Sequence, residues 1–329
     1  MSRTMAHILG FGGYAPERVM TNDDWAKLID TSDEWITQRT GIKRRHIAAD
    51  DETTMTMSVA AAETALKDAN LVPDDIDEII LATDTPEMMT PDTSALVQHQ
   101  LGCRNIPTYD LGGSGCAGFV QAVDVAKTRI TVEPKKILVI GVELISRMIS
   151  AKDRATSVLF GDAAGAVVMG PDSGRAEVLD VISGTDGAHA EILTLAAGGT
   201  RNPFNKDTLE SGDYNRLVMD GRKVFVEAVR RMSEASAEVV RRVGRSLSDV
   251  ALVIPHQANL RIIDAVGKKL GIESERVYVN VQEYGNTGSA TVPLAMWEAV
   301  QEDRIKDGDL VVLTAFGAGF HWAAAAVQF

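Results

Sequence analysis

Residues 109–123 read Tyr-Asp-Leu-Gly-Gly-Ser-Gly-Cys-Ala-Gly-Phe-Val-Gln-Ala-Val. A short strand-like run gives way to a cluster of small residues and then to an apolar period that suits a helix. An apolar run, IDEIILATDTP (76–86), precedes this stretch, and KKILVIGVE (135–143) follows it. The second half of the chain repeats the plan with LSDVALVIPHQA (247–258), VNVQEYGNTGSATVPLAMWEAV (279–300) and GDLVVLTAFG (308–317). Asp77 and Asp249 open the first run of each half, 249 − 77 = 172 residues apart, and the same shift carries Cys116 onto Gly288, beside Asn286. The pattern predicts one α/β unit present twice, each copy with a Gly-rich turn between a strand and a helix.

Further strand-like runs lie at 106–111, 158–169, 277–281 and 322–329, and helical periods at 58–71, 117–130, 221–244, 259–271 and 292–303. Val- and Ile-rich runs separated by helices of that length read as parallel strands with crossovers. The fold class is α/β, with a boundary expected between residues 1–175 and 176–329. Segment 199–217 is polar and lacks a period, which predicts a long surface loop of the kind that often serves function.

The chain has 329 residues, 45% hydrophobic and 24% charged, enough apolar material for a sizeable core. Its net charge, 33 − 46 = −13, disfavours nucleic acid or an anionic membrane as partner, since both need a basic footprint. Two cysteines, Cys103 and Cys116, are too few for a disulfide scaffold or a Cys-rich zinc site. No apolar run reaches the length of a membrane span or resembles a signal sequence. These features predict a soluble cytoplasmic protein with reduced thiols.

Cys116 stands at the expected start of a helix, where unsatisfied N–H groups and the dipole favour a thiolate. A buried structural cysteine is the plain alternative, and it is the reading adopted for Cys103. Gly113-Ser114-Gly115-Cys116-Ala117-Gly118 also fits the G-x-G-x-x-G dinucleotide pattern, with Glu143 ending the next strand, so a nicotinamide-dependent dehydrogenase stays open. His256 follows an apolar strand, and Asn286 occupies the turn equivalent to that of Cys116. Phe316-Gly317-Ala318-Gly319-Phe320 follows another strand and could present backbone donors. Each has an ordinary structural reading as a core histidine or a tight turn. Together they supply a nucleophile, a proton or hydrogen-bond partner and an amide donor, which suits acyl transfer through a thioester.

Nearly the whole chain resembles the thiolase-fold condensing enzymes, specifically the β-ketoacyl-acyl carrier protein synthase III family. The resemblance rests on Thr31-Ser32-Asp33-Glu34-Trp35-Ile36 with Arg39-Thr40-Gly41-Ile42, Cys116-Ala117-Gly118-Phe119, and Phe160 to Ala166. It rests also on His256-Gln257-Ala258-Asn259-Leu260-Arg261-Ile262, Gly285-Asn286-Thr287 and Phe316 to Phe320. It implies a thiolase-like fold of duplicated βαβαβαββ units in an αβαβα layering. It implies Cys116, His256 and Asn286 as the catalytic triad and the backbone N–H groups of Cys116 and Ala318 as the oxyanion hole. Cys116 would take an acyl group from acyl-CoA. His256 and Asn286 would donate to the thioester oxygen of malonyl-acyl carrier protein during its decarboxylation.

The same resemblance places CoA against Trp35 and Arg154, with Thr31 and Arg39 near the nucleotide and Asn259 on the pantetheine tunnel. It makes Arg261, Lys268 and Lys269 a docking patch for the acidic carrier protein, and it implies a homodimer with neither metal nor cofactor. Thr90 stands where short-chain members have a Phe that closes the acyl pocket from the partner subunit. This substitution predicts longer primers, unless Met88 and Met89 fill the space. Ala318 replaces a Gly, and Val226, with Arg222 and Lys223 nearby, stands where some members have a docking Lys. A member serving polyketide or quinolone metabolism is the alternative within the family, and a non-catalytic partner of a condensing enzyme is the alternative outside it.

Overall fold

The computed structural model describes residues 4–151, 153–171 and 173–329. Nine strands form its main sheet among those residues: β1 His7–Tyr14, β2 Glu78–Ala82, β3 Thr108–Leu111, β4 Ile137–Leu144, β5 Asp162–Gly170, β6 Ala176–Thr185, β7 Val250–Pro255, β8 Leu310–Gly317 and β9 His321–Gln328. Their order is β7-β8-β9-β6-β1-β5-β4-β2-β3. Outward from the β6–β1 seam, one side runs first, fifth, fourth, second, third. The other side runs first, fourth, third, second in its own chain order. Strands β2, β3 and β4 are parallel, as are β7 and β8, while β5 and β9 run antiparallel to their neighbours.

Side chains alternate between the two faces of each strand, and each face meets a different helix layer. The principal helices are α1 Asp33–Thr40, α2 Thr54–Asp68, α3 Thr93–Leu101, α4 Gly118–Val132, α5 Gly221–Arg242, α6 Leu260–Leu270 and α7 Thr291–Gln301. Ile79, Leu81, Leu138 and Ile140 pack with Ala61, Ala65 and Val97 of α2 and α3. Ile80 and Val139 share a core with Val123 of α4, Met296 of α7, and Val311 and Ala325 of the far strands. Val312 and Ala324 pack with Met232 of α5 and Ile263 of α6. The stacking is therefore α2/α3, sheet, α4/α7, sheet, α5/α6, the five-layered thiolase-like fold.

Two sequence expectations need correction. Residues 277–281 are not a strand: only Val277 bridges, to Val253. The N–H groups of Asn280 and Val281 are taken instead by Gln257 Oε1, at 3.0 and 3.2 Å. Segment 199–217 is not structureless, because it contains a helix over Lys206–Ser211 and leads into Leu217–Met219, paired with Leu193–Leu195. Strand β1, HILGFGGY, escapes an apolar-run reading because Gly interrupts it. A Cβ on Gly12 would lie 2.1 Å from Ala61 O, so glycine there lets α2 press onto the sheet.

Candidate active site

The C-terminal ends of β3, β7 and β8 open onto one cavity of about 1650 Å³, lined among others by Cys116, His256, Asn286, Gly317 and Ala318. Cys116 sits in the single turn Gly115–Ala117 that leads into α4. Its turn is clamped from two sides. Asp84 Oδ1 accepts from Gly113 N at 2.9 Å, and Ser289 Oγ lies 3.2 Å from Gly115 O. Gly115 has φ +55, the left-handed region that glycine tolerates best. The Phe316–Phe320 turn lies directly against it. A Cβ on Gly317 would stand 2.3 Å from Cys116 N, and one on Gly115 would stand 2.5 Å from Ala318 N. Backbone donors from distant parts of the chain are thereby brought side by side.

His256 is buried at the end of β7. Its Nδ1 lies 2.7 Å from Thr291 Oγ1. Burial pushes its pKa down to about 3, so the ring is neutral. Asn286 Oδ1 accepts from Gly288 N at 2.9 Å, which commits the oxygen and leaves the amide N–H₂ to donate. That amide favours the ionised form of the Cys116 thiol. The Phe160-Gly161 segment holds Asn286 in place, with Gly161 N donating to Asn286 O at 3.1 Å.

The Cys116 thiol is pushed up, against the expectation of a helix-favoured thiolate. Burial is the main cause, and the carboxylates of Asp84 and Glu143 add to it, outweighing the Asn286 amide. Glu143 is itself buried and held towards its protonated form, by burial first and by Asp84 second. Its oxygens accept from Thr85 Oγ1 at 2.8 Å, Ser289 Oγ at 3.0 Å and Asp84 N at 3.0 Å. Glu143 therefore lies beneath the nucleophile turn, where it cannot serve a ribose, and Gly113 N is already spent on Asp84. The dinucleotide reading is excluded by these contacts. Asp84, Glu143 and Ser289 went unnoticed in the sequence as a group, although the first two end adjacent strands at the same sheet edge.

At the cavity mouth, Trp35 is flanked by Arg39 at 4.6 Å and Arg154 at 4.7 Å from its ring centroid. Asn259, the N-cap of α6, donates through Nδ2 to Arg39 O at 3.2 Å and also lines the cavity, so it joins the two regions. Thr31 Oγ1 is buried without a partner. Arg261, Lys268 and Lys269 are exposed on α6, whose other face buries Ile262, Ile263 and Val266. Met88 and Met89 line the cavity, whereas Thr90 is exposed and lies outside the lining of its own chain. Cys103 is buried in the core against α2, and burial pushes its thiol up.

Two family models match: 3-oxoacyl-[acyl-carrier-protein] synthase III over residues 109–187 and its C-terminal counterpart over 240–329. The β-ketoacyl-[acyl-carrier-protein] synthase III of Oleidesulfovibrio alaskensis is 47% identical over 325 residues, 98% of each chain. The chain belongs to the β-ketoacyl-acyl carrier protein synthase III family. It is accordingly an acyltransferase of the condensing type. The crystal structure of the Aquifex aeolicus VF5 synthase III superposes with a TM-score of 0.90 at 42% identity, covering 98% of this chain and 100% of that one. A priming β-ketosynthase from the R1128 polyketide pathway superposes with a TM-score of 0.91 at 35% identity, covering 99% and 97%. The alternatives of a dehydrogenase or a degenerate partner give way to the synthase III assignment.

Proposed function

We propose that the chain condenses an acyl-CoA primer with malonyl-acyl carrier protein, using Cys116 as the acyl carrier and His256 and Asn286 as donors in decarboxylation. The observation that carries this reading is the convergence of Cys116, the Asn286 amide and His256 on one cavity, with two backbone turns in contact behind the sulfur. Cys116 Sγ attacks the thioester carbonyl, the bond to CoA sulfur breaks, and the thiol proton ends on CoA. The backbone N–H groups of Cys116 and Ala318 receive the oxyanion. Malonyl-acyl carrier protein then loses carbon dioxide, and the electron pair of the broken C–C bond is held as an enolate by His256 and Asn286. Its carbon attacks the acyl-Cys116, whose sulfur leaves as a thiolate and takes one proton from solvent. Bonds and protons balance without a metal or a change of oxidation state, so none is needed.

Trp35 between two guanidinium groups suits a purine ring, and Arg39, Arg154 and Thr31 surround the place where the CoA nucleotide would lie. Asn259 faces the pantetheine arm. The partner is acidic acyl carrier protein, docking on Arg261, Lys268 and Lys269, which form no ion pair among the described residues. Reversing Lys268 and Lys269 to Glu is expected to raise the KM for malonyl-acyl carrier protein and leave that for acyl-CoA unchanged. Unchanged kinetics and salt dependence would remove this face from the interface.

A homodimer completes the reading. Strand β3 is a sheet edge, open on one side, and Met88 and Met89 are exposed near it. The repeated strand order supports two copies, 1–175 and 176–329. Cytoplasmic location belongs to the same reading, because the chemistry needs a free Cys116 thiol. The cavity is large and its walls include Leu193, Leu217 and Phe225, which favours primers longer than acetyl. Product mass spectrometry with primers of two to twelve carbons is expected to show rates rising beyond two carbons, and Thr90→Phe to shorten the optimum. A two-carbon optimum untouched by that substitution would overturn the role of Thr90; no β-ketoacyl product with any primer would overturn the reaction.

A further inference from the structure

A neutral imidazole carries one ring proton, so His256 is either a donor or an acceptor towards the cavity, never both at Nε2. Its Nδ1 faces Thr291 Oγ1 at 2.7 Å, and the same hydroxyl lies 3.0 Å from Gly288 O. Thr291 also has one hydroxyl proton, so the two contacts compete for it. A proton directed to Gly288 O would require Nδ1–H on His256, with a bare Nε2. A proton directed to Nδ1 would leave the ring proton on Nε2.

Two observations separate these arrangements. Gly288 O already accepts from the backbone N–H of Thr291, so it is not left unpaired when the hydroxyl turns away. The distances point the same way. A hydroxyl donor sits most often at about 2.7–2.8 Å from an oxygen acceptor, so the 3.0 Å contact to Gly288 O stands at the outer edge of its range. An N–H donor more often stands at about 2.9–3.0 Å, longer than the contact seen between His256 and Thr291.

We propose that Thr291 is a positioning residue that fixes His256 as the Nε2–H tautomer by donating its hydroxyl proton to Nδ1. His256 then enters the cavity as a hydrogen-bond donor, the role that stabilising an enolate oxygen requires. It cannot accept the Cys116 proton without becoming a cation, which its burial opposes. Thr291 thereby separates the two half-reactions: it matters to decarboxylation and not to acylation. The sequence offers no sign of this, because Thr291 reads as an ordinary residue at the start of a helix.

The inference rests on the function proposed above, and the test keeps the two apart. In protein labelled with ¹⁵N at its six histidines, the His256 signals are identified by their loss in His256→Ala. The expected wild-type spectrum shows a protonated Nε2 and a bare Nδ1. Thr291→Val is expected to slow malonyl-acyl carrier protein decarboxylation about tenfold or more while Cys116 acylation, read by intact mass, changes less than about threefold. Thr291→Ser keeps the hydroxyl and is expected to restore decarboxylation. A wild-type Nδ1–H spectrum, or equal loss in both half-reactions with no rescue by Ser, overturns the proposal. The wild-type spectrum needs no variant, so the proposal stays open to refutation even where Thr291→Val folds poorly. Absence of any acyl mass on Cys116 would overturn the function instead and leave the tautomer assignment to the spectrum.

Discussion

Cys116→Ser is expected to abolish acyl-enzyme formation with every acyl-CoA tested, while the wild-type chain gains one acyl mass at Cys116. A serine hydroxyl is a much weaker nucleophile than a thiol in this setting. No base stands ready to take its proton, because burial opposes the cation that His256 would become and its Nδ1 is engaged by Thr291. The substitution is nearly isosteric and leaves the clamps on Gly113 and Gly115 in place, so the fold should survive. Peptide mapping after exposure to acyl-CoA checks the site. Acyl mass on Cys103, which is buried among the residues that face α2, would show the nucleophile to be misassigned.

His256→Ala is expected to slow malonyl-acyl carrier protein decarboxylation by about 10²–10³, the usual consequence of losing one preorganised donor at a developing oxyanion. Acylation of Cys116 should suffer much less, since Asn286 and the backbone donors of Cys116 and Ala318 remain. Carbon dioxide release and acyl mass are measured separately on the same preparation. Equal losses in the two half-reactions would make His256 the base for the thiol rather than a donor to the enolate.

Much of the architecture is legible in the sequence where apolar runs are unbroken. Strands β2, β4, β7 and β8 bury both faces, so ILVIGVEL and LVVLTAFG announce themselves. Strand β1 does not, because Gly10 and Gly12 serve the close approach of α2 rather than apolar burial. Residues 277–281 have the composition of a strand and lose the ladder to a single side chain, Gln257. No local pattern encodes a competitor that is distant in the chain. The same limit applies at the site. Cys116, His256 and Asn286 stand in turns whose small residues mark them, whereas Asp84, Glu143, Ser289 and Thr291 act through partners far along the chain. The helix-dipole argument for a thiolate failed because it weighed only α4 and took no account of burial or of two carboxylates beneath the turn.

The raised thiol of Cys116 has a consequence outside the catalytic cycle. Oxidants and alkylating agents attack the thiolate, so a cysteine held protonated at rest is a slow target for both. Burial of the turn, with Asp84 and Glu143 adding to it, thus acts as a chemical shelter for the nucleophile between turnovers. An unfolded chain has no such shelter: its Cys116 returns to the ordinary thiol range, about 8.5, and is more readily ionised than in the native protein. For this sulfur, maturation of the fold is passage into a protected state, and denaturation exposes it to damage before any question of lost activity arises.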